Sequence, residues 1–322
     1  MTVSRTTIRL DAGPAAPDGV AVLEADVFSP DPAGLGPGPA VVVCLPGGGM
    51  SRRYFDLDVP PQVGAYSMAR HLAGLGMVVV TVDHPGVGGS DRPEDGYALT
   101  AETVAEVDGH VTRLVLSGLR AGTLVADLPP LPGLRPVGLG HSMGAYVTVV
   151  QQARRRSYER LVLLGFTGGG LPSFLTEEEL RYSGDPEGVR LAIADLVKAR
   201  FRNPLPGGAT STSTSTLLVR GEQPPEVLAG LGAASAPLLA LIGFTTMIPG
   251  AASDVLADID VPVFLGVGGL DITGEPRLIP SELPACGDIT LFVLEGSGHN
   301  HNVDADRTRL WDRIAGWAQC RV

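Results

Sequence analysis

The sequence predicts an α/β protein with a mostly parallel sheet and helices on both faces, on three observations. Short, wholly apolar runs alternate with longer, helix-like ones from residue 41 onward. The pentapeptide Gly140-His141-Ser142-Met143-Gly144 stands between a strand-like and a helix-like run. An aspartate and a histidine, Asp271 and His299, fall just past the ends of two later strand-like runs. Strands that alternate with helices pair in parallel, and their crossovers cover both faces of the sheet.

Residues 6–10 and 20–28 alternate in polarity across Gly- and Pro-rich sequence, which predicts an opening antiparallel pair. Residues 41–45 are a fully apolar strand ending in Pro46-Gly47-Gly48-Gly49-Met50. A helix over 65–75 leads to a strand over 77–82 and then to the loop from Asp83 to Asp91. Residues 100–119 carry helical spacing, with Thr100 as N-cap and Glu102 and Glu106 near the positive end of the helix. Next come a strand over 136–139, a helix over 145–155 and a strand over 160–166. The last two strands span 261–267 and 289–294.

Residues 167–260 break the alternation, and a connection of that length is more than a simple crossover. This segment holds helix-like stretches at 177–180 and 186–201 and an apolar stretch at 227–248. Its Ser/Thr-rich run, 207–216, reads as a mobile loop. The uncharged run from Ala236 to Ile248 predicts a helix in the segment's own core, or a greasy wall over a site.

A serine between glycines at a strand-to-helix turn has a specific chemical use. The turn is tight enough that its flanks exclude large side chains, and the serine hydroxyl stands clear of the sheet. The next backbone N–H, that of Met143, is left free at a helix N-terminus. The pattern alone is weak in a chain with 43 glycines among 322 residues. Its context strengthens it, because a serine nucleophile needs a base and an acid that orients the base. The acid candidate is Asp271, in Gly268-Gly269-Leu270-Asp271, with Glu275 nearby. The base candidates are His299, in Glu295-Gly296-Ser297-Gly298-His299, and His301 two residues on.

On these residues, in the order Ser142, Asp271, His299, the chain from about residue 20 onward resembles the α/β-hydrolase superfamily. The resemblance implies a core of residues 1–166 and 261–322, with a helical cap at 167–260. It implies Ser142 as nucleophile, His299 rather than His301 as general base, and Asp271 as the orienting acid. Some relatives carry the acid one strand earlier, but no carboxylate follows that strand here until Glu177. The oxyanion hole is expected from the N–H of Met143 and from Gly48, with Gly49 second. Many relatives begin the glycine loop with His-Gly, where this chain has Pro46-Gly47. The Asp83–Asp91 loop resembles a structural loop of the family, so His84 is expected to be a satisfied loop residue. Tyr54, Phe244 and His301 are candidate substrate contacts; simple packing serves Tyr54 equally well, the core of the insertion is the plainer place for Phe244, and the surface or a place behind His299 for His301.

The expected activity is hydrolysis of an apolar ester or thioester through a seryl acyl-enzyme. The alternative is a lyase or cyclase of specialised metabolism that uses a similar site, for instance to eliminate acetate from an acylated intermediate. A non-catalytic binding protein is the third class, and an intact Ser142, Asp271 and His299 argue against it. Composition narrows the rest. A net charge of −11 makes nucleic acid an unsuitable partner, and Arg154-Arg155-Arg156 reads as a solvated helix end. Cys44, Cys286 and Cys320 give neither a disulfide framework nor a zinc spacing, and Cys44 is expected in the core. No dinucleotide fingerprint, P-loop or metal-ligand spacing is present, so no cofactor and no metal are expected. No apolar run reaches the ~20 residues that span a bilayer, so a soluble cytoplasmic protein is the expectation. One lysine, Lys198, against many arginines fits a GC-rich genome. Oligomeric state is not legible.

Overall fold

The structure is a computed structural model that describes residues 2–207, 218–219 and 223–320. Eight strands form one sheet in the order β1-β2-β4-β3-β5-β6-β7-β8. The opening pair is β1 (Val3–Asp11) and β2 (Val22–Pro30), joined antiparallel from Val3↔Pro30 to Asp11↔Val22. β2 also runs antiparallel to β4 (Val78–Val82). All remaining pairings, through β3 (Ala40–Leu45), β5 (Arg135–His141), β6 (Arg160–Leu164), β7 (Val263–Gly268) and β8 (Ile289–Leu294), are parallel.

Two buried clusters lie on the two faces of this sheet. Val41, Val43 and Leu45 of β3 pack with helices α2 (Ala101–Ala121) and α3 (Met143–Arg155). Val42 and Cys44, from the same strand, pack with α1 (Met68–Gly74) and the closing helix Arg307–Gln319. A strand covered on both sides must be apolar at every position, which is why residues 40–45 lack alternation. Thr100 caps α2 by accepting from the Thr103 N–H at 3.2 Å, and Gly122 ends that helix at φ 69°.

Between β6 and β7 the chain forms α4 (Glu177–Leu180), α5 (Pro186–Phe201), α6 (Pro225–Ala233), α7 (Ala240–Thr245) and α8 (Ser253–Ala257). With the closing helix as α9, the described residues hold nine α-helices. A third apolar cluster belongs to this insertion. Val189, Ile193 and Val197 of α5 pack against Leu241 and Phe244 of α7. The Ser/Thr-rich run lies, apart from Gly207, outside the described residues. No helix among the described residues is long and apolar enough to cross a membrane.

Candidate active site

The turn from β5 into α3 explains its own glycines. A Cβ at Gly144 would lie 2.2 Å from the Leu45 carbonyl oxygen, and one at Gly140 would lie 2.4 Å from the Gly144 carbonyl oxygen. Ser142 sits between them at φ 54° and ψ −121°, a left-handed backbone that L-residues rarely adopt. The strand and helix on either side over-determine that conformation. Its N–H donates to the Leu164 carbonyl at 2.8 Å, which ties the turn to β6.

Asp271 follows β7 and His299 follows β8, so the sheet order brings both to the carboxyl edge beside Ser142. His299 Nδ1 donates to Asp271 Oδ1 at 2.7 Å, which leaves Nε2 as the open ring nitrogen. His301 Nε2 lies 3.1 Å from the other carboxylate oxygen, Oδ2. Asp271 and His301 are both fully enclosed. Burial by itself would raise the Asp271 pKa. The nearby His299 charge and the hydrogen bonds from His299 and His301 outweigh it and hold the carboxyl well below the usual carboxylate range.

His141, the residue before the serine, is a third imidazole in this cluster. Its ring lies 4.8 Å from that of His299 and stacks on Tyr54 at 4.6 Å. Nε2 donates to the His299 carbonyl at 2.9 Å, which anchors the histidine loop to the elbow. Burial, and then repulsion from His299 and His301, push its pKa well below the ordinary 6.5, so it stays neutral. Gly165, at φ 58°, makes room for the group, since a Cβ there would lie 3.1 Å from the His299 ring.

Ser142 and His299 line a common cavity of about 170 Å³, with Gly48 and Met143 in its wall. No hydrogen bond joins Ser142 Oγ to His299 among the described residues, and unliganded sites often tighten such contacts only when substrate binds. The N–H groups of Gly48 and Met143 have no acceptor among the described residues. Gly49 is buried outside the cavity wall, and its carbonyl accepts from Ala236 N–H at 2.9 Å. His84 is fully buried on Asp108, and its Nε2 lies 3.1 Å from the Pro46 carbonyl at the head of the glycine loop. It steadies that loop. Arg52, at the loop's far end, is buried in a cluster with Glu24, Asp26 and Asp83.

All three candidate contacts lie away from the cavity surface. Tyr54 is under the site against His141, with its hydroxyl 3.4 Å from Nε2. Phe244 is wholly buried in the insertion's core, because its ring packs edge-on against Phe201 at 5.9 Å; Phe201 lines the cavity in its place. His301 holds Asp271 and does not line the cavity. Leu171, Leu238, Thr246 and Met247 from the insertion, and Ile272 after Asp271, also line it. Adjacency to Asp271 could have singled out Ile272. The others carry no local signal. Among the described residues, the cavity lining contains no Asp, Glu, Lys or Arg. Among the described residues no group of three or more His, Cys, Asp or Glu is placed to hold a metal ion.

A family model described as "Alpha/beta hydrolase family" matches residues 42–310. No curated protein matches the sequence. Among solved structures, an esterase from Exiguobacterium antarcticum superposes with TM-score 0.63 at 18% identity, covering 95% of this chain and 100% of its own. A monoacylglycerol lipase from Paleococcus ferrophilus gives 0.61 at 19% identity, over 92% and 98%. A thioesterase domain from the curacin biosynthetic pathway gives 0.54 at 18% identity, over 97% and 99%. At these identities the likeness is one of fold.

Proposed function

Since the chain belongs to the alpha/beta hydrolase family, we propose that it hydrolyses a small, uncharged ester or thioester through an acyl group carried on Ser142. The observation that carries this reading is His299, fixed through Nδ1 to a buried Asp271 while sharing a cavity with the elbow serine. The fold alone would not license it. His299 takes the Ser142 proton as Oγ attacks the acyl carbon, then returns it to the leaving group. Asp271 keeps the ring in the Nδ1–H tautomer and stabilises the imidazolium. The untaken N–H groups of Gly48 and Met143 receive the oxyanion.

The insertion at 167–260 acts as the cap in this reading. It supplies Leu171, Phe201, Leu238, Thr246 and Met247 to the cavity, so specificity resides largely there. The space is close to the ~150 Å³ cavity known to accept benzene, which favours a short or compact acyl group.

Turnover of p-nitrophenyl butanoate by the wild type and by Ser142→Ala tests the proposal, with fluorophosphonate labelling and a thermal melt alongside. Loss of activity by several orders of magnitude, with loss of labelling and an unchanged melt, is expected. Full activity in Ser142→Ala would remove the serine from the mechanism. In ¹⁸O-water the released acid should carry one solvent oxygen. An unlabelled acid released beside an alkene would assign elimination to the same site.

A further inference from the structure

We infer that Asn300 is a specificity-determining residue whose carboxamide donates to a hydroxyl or keto oxygen carried on the acyl chain; this rests on the acyl-enzyme reading above. Asn300 directly follows His299, lines the cavity of about 170 Å³ and is 5% exposed. It also begins the one-turn 3₁₀ helix His301–Val303, a position where asparagine ordinarily caps through its side chain. Here no such cap bond forms. The backbone N–H is held by the Leu218 carbonyl at 2.9 Å. The backbone angles, φ −86° and ψ 73°, lie outside the left-handed region that favours asparagine.

Asn302, two residues on, shows what a structural asparagine does in this loop. Its Nδ2 donates to the Tyr54 carbonyl at 3.0 Å, and its Oδ1 accepts from Trp311 Nε1–H at 3.0 Å. The Asn300 carboxamide forms no hydrogen bond among the described residues. Nor is it sealed off. His141 Nδ1 and His301 Nδ1 are unpaired and closed away from solvent, whereas the amide atoms of Asn300 are not enclosed in that way. A polar group placed this deep calls for a partner, and a few such groups in an apolar pocket are what orient a ligand.

The other polar side chains of the lining are committed. Ser142 and His299 serve the proposed acyl transfer. Thr246 Oγ1 donates to the Gly243 carbonyl at 2.7 Å, and His141 Nε2 donates to the His299 carbonyl at 2.9 Å. A plain alkyl chain in this space would strip water from the Asn300 carboxamide and leave it unpaired. A charged substituent would find no counter-ion among the described lining residues. A neutral oxygen on the chain accepts from Nδ2–H, and a hydroxyl also donates to Oδ1. The favoured substrate class is therefore a short acyl ester or thioester that carries a hydroxyl or keto group. Asn300 reads that oxygen, while the insertion reads the length of the chain.

The test compares p-nitrophenyl 3-hydroxybutanoate with butanoate, and 4-oxopentanoate with pentanoate. Wild type, the nearly isosteric Asn300→Leu and the smaller Asn300→Ala are measured, with a melt on each form. The ratio of kcat/KM between oxygenated and plain ester cancels losses of folded protein, and its change between variants cancels the intrinsic reactivity of each ester. In at least one pair this ratio should fall about five- to tenfold in both variants, as loss of a neutral hydrogen bond to substrate requires. The melt of Asn300→Leu should hold or rise, since no internal bond is lost. A ratio within twofold of wild type in both variants and both pairs overturns the role of Asn300, and a Ser142 adduct seen by rapid-quench mass spectrometry then leaves the seryl intermediate standing. Collapse of the melt in both variants would make the side chain structural and overturns the inference as well. Turnover by Ser142→Ala equal to wild type, or no turnover of any of the four esters, overturns the intermediate and this inference together.

Discussion

His301 and Asp271 are joined at 3.1 Å through the carboxylate oxygen that His299 leaves open. The acid is thereby held from both sides, and its free rotation is removed. Replacing His301 by Leu leaves buried Oδ2 with only the long Gly268 N–H contact at 3.4 Å, at a cost of about 1–3 kcal/mol. At about 2–4 °C per kcal/mol for a chain of this size class, the melting temperature should fall by several degrees. With the carboxylate held only by His299 and by the Ile272 and Gly268 N–H groups, kcat should fall about tenfold. His301→Gln, which can still donate to Oδ2, should recover most of both. A scanning melt and kcat for the three forms decide it, and an unchanged kcat in His301→Leu would show that His299 and the backbone N–H groups suffice to orient the acid.

Much of this site was legible because its parts sit at strand ends. The elbow, Asp271 and His299 each follow an apolar run, and a parallel sheet gathers the ends of such runs at one edge. What escaped was what depends on side chains meeting from distant elements. Glu24 and Asp26 read as one polar stretch of an alternating strand, yet Arg52 buries against both and against Asp83. Phe244 and Phe201 look alike in sequence, and only the packing of α7 on α5 decides which one faces the cavity. The closing helix was also not expected, although Leu310, Trp311, Ile314, Ala315 and Ala318 follow helical spacing. Its intervening polar residues mask the stripe.

Gly144→Ala should abolish activity and lower stability together. The added methyl would overlap the Leu45 and Pro46 carbonyl oxygens, at 2.2 and 2.4 Å, and backbone cannot swing aside as a flexible side chain can. Overpacking of this kind typically costs about 1–3 kcal/mol. Because the displaced carbonyls lead into the glycine loop, kcat should drop by more than stability alone explains. Denaturant melts and single-turnover rates on the purified variant would settle the point, and an alanine variant with wild-type turnover would contradict the packing account.

His141 makes stability depend on pH. Its pKa in the fold lies well below the ordinary 6.5, so the unfolded chain binds a proton that the folded chain refuses. The stability it permits is fully present above about pH 6.5 and is lost as pH falls below that value, by up to ~1.4 kcal/mol per pH unit. Asp271 acts in the same direction at lower pH: its contribution holds above the ordinary carboxylate value and declines as pH drops beneath it. Melting temperature from pH 8 to pH 5 should therefore fall in wild type and fall less steeply in His141→Gln. Equal slopes would point to other groups.

Acyl chain length should show an optimum instead of a plateau. Within about 170 Å³, each added methylene gains up to ~0.8 kcal/mol until the space is filled. We expect kcat/KM to rise from acetate to butanoate or hexanoate and to fall by octanoate. Leu238, which walls the cavity close to Gly48, sets the end of that series. Leu238→Ala should move the optimum to longer chains. A profile still climbing at decanoate in wild type would mean that the insertion opens well beyond this volume.

In the proposed mechanism, the order of strands also fixes when the chain becomes reactive during its own synthesis. The elbow and the glycine loop are complete early, but the sheet edge beside them waits for β7 and β8, which carry Asp271 and His299. At about 5–20 residues per second, the ribosome needs roughly ten to thirty seconds to pass from Ser142 to His299. The closing helix then adds to the hold on the histidine loop, with Trp311 donating to Asn302 and His71 meeting Asp312. In the proposed mechanism, nascent chains and prematurely stopped fragments thus lack the base for Ser142 and stay chemically silent until translation is nearly done.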